Sequence, residues 1–173
     1  ASMIDASWKT PLGLVEVDSE SALELRDGLD ILELDSFSHS KEHSIEVQVP
    51  MLQETFSHEM KILPISLINQ EQKTATKVGS AIAKIAQKKD ALLIGSSDFT
   101  HYEENEFAHR QDLALIDPIL KLDVDEFYKI LYERHVTACG FGAIASTMIA
   151  CKELGATEGK LLKYATSGDV SGD

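Results

Sequence analysis

Ala91-Leu92-Leu93-Ile94-Gly95-Ser96-Ser97-Asp98-Phe99-Thr100-His101-Tyr102 is the stretch on which the fold reading turns. Four apolar residues in a row give way abruptly to a polar loop. A short run that is apolar on both faces is what a strand buried inside a parallel sheet requires. The loop that follows then lies at the carboxyl end of that strand, where open α/β sheets collect their ligands. Ala91–Ile94 is therefore expected as a central strand, and Asp98 and His101 as the first candidate site residues.

Working outward, the chain alternates between the two periods. Val78, Ala81, Ile82, Ile85 and Ala86 share one helical face, so a helix is predicted over 73–87. Further helices are expected over 107–121, with Pro118 as an interruption, over 125–134, and over 142–154 with Gly155 as its cap. Ile45, Val49 and Leu52 also recur at helical spacing, although Pro50 falls inside that stretch. Leu14–Asp18, Ile31–Leu34, Lys61–Ile68 and Leu161–Ala165 read as strands, the third at an edge or bulge because of Pro64. Ser19 is a candidate cap for a short helix ending at Gly28. Strands alternating with helices give an α/β class with a mainly parallel or mixed central sheet and helices on both faces. Ser167–Asp173 reads as a polar loop or frayed tail.

The 173 residues carry 29 acidic against 16 basic side chains, a net charge of −13. A nucleic-acid partner needs a basic footprint, and no run of Lys or Arg provides one. No apolar stretch approaches a membrane span and no signal peptide is visible. Cys139 and Cys151 lie about 18 Å apart if helix connects them, too far for a disulfide. Two reduced thiols fit a cytoplasmic address. The length suits one domain, residues 1–173.

Three clusters could carry chemistry. In Ser96–Tyr102, Asp98 could orient His101 and raise its proton affinity for acid/base work; the plainer alternative is a turn cap beside a surface histidine. In Glu42-His43-Ser44-Ile45-Glu46, Glu42 and His43 could join the pocket, or the acidic groups could simply favour a helix start. In Thr137-Ala138-Cys139-Gly140-Phe141-Gly142-Ala143, a helix N-terminus favours thiolate, both a nucleophile and a soft metal ligand. Alternatively Cys139 is a small buried residue. No GxGxxG is completed around Gly140, so no nucleotide site is read. His39, His58, His109 and His135 lack an evident partner and read as surface residues. Cys151 and Met148 fit an apolar helix face, and Trp8 and Phe141 read as packing residues.

Taken together these segments resemble the MEMO family, the group that includes protein B of the AmmeMemoRadiSam system. The carrying residues are Glu42–Pro50, Ser96–Tyr102 and Cys139–Gly142, with Ser167–Asp173 and Trp8–Gly13 as supporting matches. The resemblance implies a fold similar to class III extradiol dioxygenases of the LigB type. It further implies a metal, iron or copper, held by two histidines and Cys139. His101 would be the acid/base residue, Asp98 its neighbour, and Glu42 and His43 would stand at the pocket rim. The two histidine motifs of the family, His-Ala-Gly and Gly-Pro-Xaa-His, are not in these 173 residues. The chain is thus expected to be the C-terminal portion of such a protein, truncated at the N-terminus and at the C-terminus. The metal is expected to be absent where its upstream ligands are missing, and association through an exposed sheet edge is expected. Two functions follow: a metal-dependent redox or dioxygenase-like enzyme, or a non-catalytic module that binds a peptide or small molecule in the same pocket.

Overall fold

The structure is a computed structural model that describes residues 1–4, 6–56 and 58–172. The chain forms two compact units, Ala1–Ile68 and Asn69–Asp173.

The first unit is organised on a three-stranded mixed sheet in the order β1-β2-β3. Strand β2 (Gly13–Val17) alternates as a half-buried strand should: Val15 and Val17 are buried while Leu14 and Glu16 are exposed. Strand β1 (Ser7–Thr10) pairs with it antiparallel, Ser7 opposite Glu16 and Thr10 opposite Gly13. Gly13 closes the turn at φ 125°, a conformation that suits glycine. Strand β3 (Lys61–Ile62) runs parallel to β2, with Lys61 Nζ 3.1 Å from Glu16 Oε2. Helix α1 (Ser19–Gly28) is capped by Asp18, one residue before the expected cap, whose carboxylate accepts from the Ser21 amide at 3.0 Å. Pro50 does not break its helix. It sits in the first turn of α2 (Val49–Thr55), where no intrahelical N–H is needed.

The second unit is helical: α3 (Gln72–Ala86), α4 (Asn105–Leu120), α5 (Val124–Glu133), α6 (Phe141–Glu153) and the single turn α7 (Gly168–Ser171). Its core gathers Ala75, Leu115, Phe127, Tyr128, Leu131, Ala145 and Met148. Helices α3 and α6 approach so closely that a Cβ on Gly79 would lie 2.6 Å from the Ser146 carbonyl oxygen. Pro118 lies near the end of α4 and leaves the helix uninterrupted. Gly155 takes φ 99° just past α6, as a helix-ending glycine should.

Several predicted strands are not formed. Ala91–Ile94 forms no strand and pairs with none among the described residues, and Leu92 and Ile94 are 65% and 48% exposed. Leu161–Ala165 behaves alike, with Leu162 exposed. Ile31–Leu34 contributes only an isolated bridge between Ser2 and Leu34, and Lys61–Ile68 pairs over its first two residues. An apolar run specifies a wish for burial; the neighbours that satisfy it are nonlocal, and none of the described residues supplies them here. Among the described residues, seven α-helices with a mixed sheet keep the α/β class. At the end of the chain, Gly168–Ser171 is a helical turn and not a frayed tail; Asp173 falls outside the described residues. Among the described residues, no helix is long and apolar enough to cross a membrane.

Candidate metal centre

Two loops of the second unit build the candidate site. The first, Ser96–His101, follows the Ala91–Ile94 run; the second, Thr137–Gly140, leads into α6. They bond to one another residue by residue. The Cys139 amide donates to the Asp98 carbonyl at 3.2 Å, and the Asp98 amide donates back to Cys139 Sγ at 3.3 Å. The Gly140 amide donates to Ser97 Oγ at 2.8 Å. The His101 amide donates to Thr137 Oγ1 at 2.9 Å. Glycine at 140 is what allows the approach: a Cβ there would collide with the Ser96 carbonyl and lie 2.9 Å from Ser97 Cβ.

The outcome is that Asp98, His101 and Cys139, up to 41 positions apart in the chain, bring one carboxylate oxygen, one imidazole nitrogen and one sulfur within 4.8 Å of one another. Cys139 is exposed, which excludes the reading of a small buried residue. Asp98 Oδ2 stands 3.9 Å from His101 Nε2. His101 Nδ1 lies 2.9 Å from the Thr137 carbonyl oxygen, which can only accept. In the neutral ring the hydrogen is therefore on Nδ1, and the Nε2 lone pair is left on the atom nearest the Asp98 carboxylate. A backbone carbonyl on the far ring nitrogen is the usual means of aiming a metal-binding imidazole.

The donors fit a transition metal. Ligands at ordinary Zn–N and Zn–S bond lengths stand roughly 3.5 Å from each other in a tetrahedral site. Closing from 4.8 Å asks for a small movement, and the side chain of Asp98 is 88% exposed and free to make it. A thiolate, an imidazole and a carboxylate suit iron, copper or zinc better than calcium or magnesium.

Gln70 also belongs to this site, and nothing in its sequence context pointed to it. Its Nε2 donates to the Cys139 carbonyl at 2.9 Å and its Oε1 accepts from the Gly142 amide at 2.8 Å. It clamps both sides of Gly140 and is itself held by the Tyr128 hydroxyl on its carbonyl at 2.7 Å. Thr137, quoted above only as a neighbour of Cys139, is the residue that fixes His101.

Glu42 and His43 lie in the first unit. The Glu42 carboxylate accepts from the Ser44 and Ile45 amides at 2.8 and 3.1 Å. Burial pushes its carboxyl up, yet the bonds from Ser44 and Ile45 outweigh that and hold it below the usual range. This is the turn-capping arrangement expected of acidic groups at the head of a helical segment.

Two histidines read as surface residues have other roles. His39 is buried, packs edge-on to Trp8, and approaches Ser66 Oγ at 3.4 Å. His109 Nε2 lies 3.1 Å from Asp169 Oδ1. The contact was invisible in the sequence because 60 positions separate the two residues.

The chain matches the family model described as "Memo-like protein" over residues 1–173. It is 59% identical over 173 residues to a MEMO1 family protein of Nitrosopumilus maritimus, covering 100% of this chain and 63% of that one. A MEMO1 family protein of Methanosarcina acetivorans is 48% identical over 176 residues, covering 99% of this chain and 64% of that one. One from Methanopyrus kandleri is 43% identical over 175 residues, covering 100% and 62%. The chain thus spans less than two thirds of the length of these curated relatives.

Proposed function

Because this chain belongs to the Memo-like protein family, we propose that it supplies part of a transition-metal centre, iron or copper, in a redox protein of dioxygenase-like type. The observation that carries the reading is the convergence of Cys139 Sγ, a His101 ring nitrogen and an Asp98 oxygen within 4.8 Å of one another. Cys139 is the anchoring ligand. His101 and Asp98 are the acid/base pair beside it. The metal, when bound, would supply redox and Lewis-acid chemistry. The protein's own residues do the rest. Thr137 keeps the His101 ring in one tautomer, so that Nε2 is the atom that takes or gives a proton. Asp98 receives the charge that forms there. Ser97 and the Asp98 amide hold the sulfur in place.

The test is metal titration of the chain with cobalt(II) and copper, followed by oxygen uptake with reductant. Cys139→Ser should lower affinity tenfold or more, about the 1.4 kcal/mol or greater expected for loss of a ligand. His101→Ala should cost less affinity and remove turnover. Metal binding that is indifferent to Cys139 would defeat the reading. A second reading, a module that binds a peptide or small molecule without turnover, draws on the open position of the three groups: Cys139 and Asp98 are both exposed. Peptide binding by metal-free protein, lost on His101→Ala, would favour it.

A further inference from the structure

We infer that Asp112 is a positioning residue for the Asp98–His101 arm of this site, through Thr100; the inference rests on the metal-centre reading above. Asp112 lies on α4, away from the three donors, and is 3% exposed. Burying a carboxylate is costly unless its oxygens are fully engaged. Both are. Oδ1 accepts from the Thr100 amide at 3.0 Å and from Thr100 Oγ1 at 2.6 Å. Oδ2 accepts from the Tyr164 hydroxyl at 2.8 Å.

The partners differ in what they control. Thr100 stands between Asp98 and His101, and the two donors it offers fix its backbone and its side chain at once. The loop is therefore held at three successive points: Asp98 on Cys139, Thr100 on Asp112, and His101 on Thr137. Removing the middle one frees the loop to rotate between its ends, and the Asp98 carboxylate and the His101 ring are then no longer held beside the sulfur together. Tyr164 ties the same carboxylate to the segment after α6, and among the described residues its hydroxyl bonds Asp112 and not the loop. It serves as the internal control. A buried acid that acted only in general packing would register the loss of either bond alike.

The experiment uses the 173-residue chain and the variants Asp112→Ala, Asp112→Asn, Thr100→Val and Tyr164→Phe. The first readout is amide hydrogen exchange in metal-free protein, comparing Asp98 and His101 with amides of α3 and α6. The second is a cobalt(II) titration followed by thiolate-to-cobalt absorption. Asp112→Ala and Thr100→Val should speed exchange at Asp98 and His101 about tenfold, the fold-change expected for one lost hydrogen bond. They should leave α6 within about twofold, and weaken cobalt binding about tenfold. Asp112→Asn keeps an oxygen for Thr100 and should restore both within about threefold. Tyr164→Phe should move neither. If Asp112→Ala raises exchange no more in the loop than in α6, or Tyr164→Phe matches Thr100→Val, the inference is overturned. If the wild-type chain gives no cobalt absorption, or the absorption survives Cys139→Ser, it is the metal-centre reading that fails, and the exchange data still decide the role of Asp112.

Discussion

At Gly140 one hydrogen atom separates a formed site from an unformed one. Alanine there would place a methyl against the Ser96 carbonyl and 2.9 Å from Ser97 Cβ. Overpacking of this kind costs about 1–3 kcal/mol, and the loops that would part to relieve it are those holding Asp98 against Cys139. Gly140→Ala is expected to lower the melting temperature and remove thiolate-to-cobalt absorption, whereas Gly155→Ala, with open space around it, should spare the absorption. His39 invites a second test. Burial lowers its affinity for a proton below the ordinary value of 6.5. In the unfolded chain it binds a proton more readily, so its contribution to stability is complete above pH 6.5 and falls away as the solution is acidified below it. Replacing His39 with Gln should flatten the pH dependence of unfolding just below pH 6.5; an unchanged slope would show that another group sets it. Asp98, His101 and Cys139 were legible as residues because a polar loop after an apolar run and a cysteine before Gly-Phe-Gly are local signals. Gln70, Asp112 and the His109–Asp169 contact were not, since each acts on a partner far along the chain.

Among the elements, helices α3, α4, α5 and α6 were legible to within about two residues, because 3.6-residue periodicity is written along a single segment. Strands were legible where alternation was clear, as in β2, and misjudged where the signal was only an apolar run, as in Ala91–Ile94. Helix α7 is not legible as a helix, because Ser, Gly and Asp make Ser167–Asp173 read as a polar loop or frayed tail; tertiary bonds order it. Asp169 accepts from the Thr166 amide at 2.9 Å, from Asn105 Nδ2 at 3.1 Å and from His109 at 3.1 Å. The Thr166 amide foremost, then Asn105 and His109, hold its carboxyl down to about 2 against an ordinary 3.8. A depressed carboxylate stabilises the fold above pH 3.8 and loses that contribution as pH falls through about 2. Amides of α7 should therefore lose exchange protection across that acid range, and Asp169→Asn should remove the dependence while weakening α7 already at neutral pH. Persistence of the acid transition in the Asn variant would assign it elsewhere.

For the molecule as a whole, the decisive imbalance is between charge and uncovered apolar backbone. Leu92, Ile94, Leu161 and Leu162 are exposed on segments that form no helix and pair with no described strand. Exposed apolar side chains clustered on such segments favour burial against another chain. A net charge of −13 opposes that association by mutual repulsion. The two act over different ranges: repulsion between chains is screened over about 8 Å at physiological ionic strength, whereas apolar burial needs contact. Raising salt should therefore increase self-association of this chain, the opposite of what salt bridges between copies would give. Sedimentation velocity across 0.05–0.5 M sodium chloride, a range of order-of-magnitude choice around the physiological value, reads this directly. Leu92→Asp combined with Leu162→Asp should hold the chain monomeric throughout, with the helical circular dichroism unchanged because neither residue lies in a helix. Association that weakens with salt, or that survives both substitutions, would place the contact on charged or helical surface and leave these segments without a part in it.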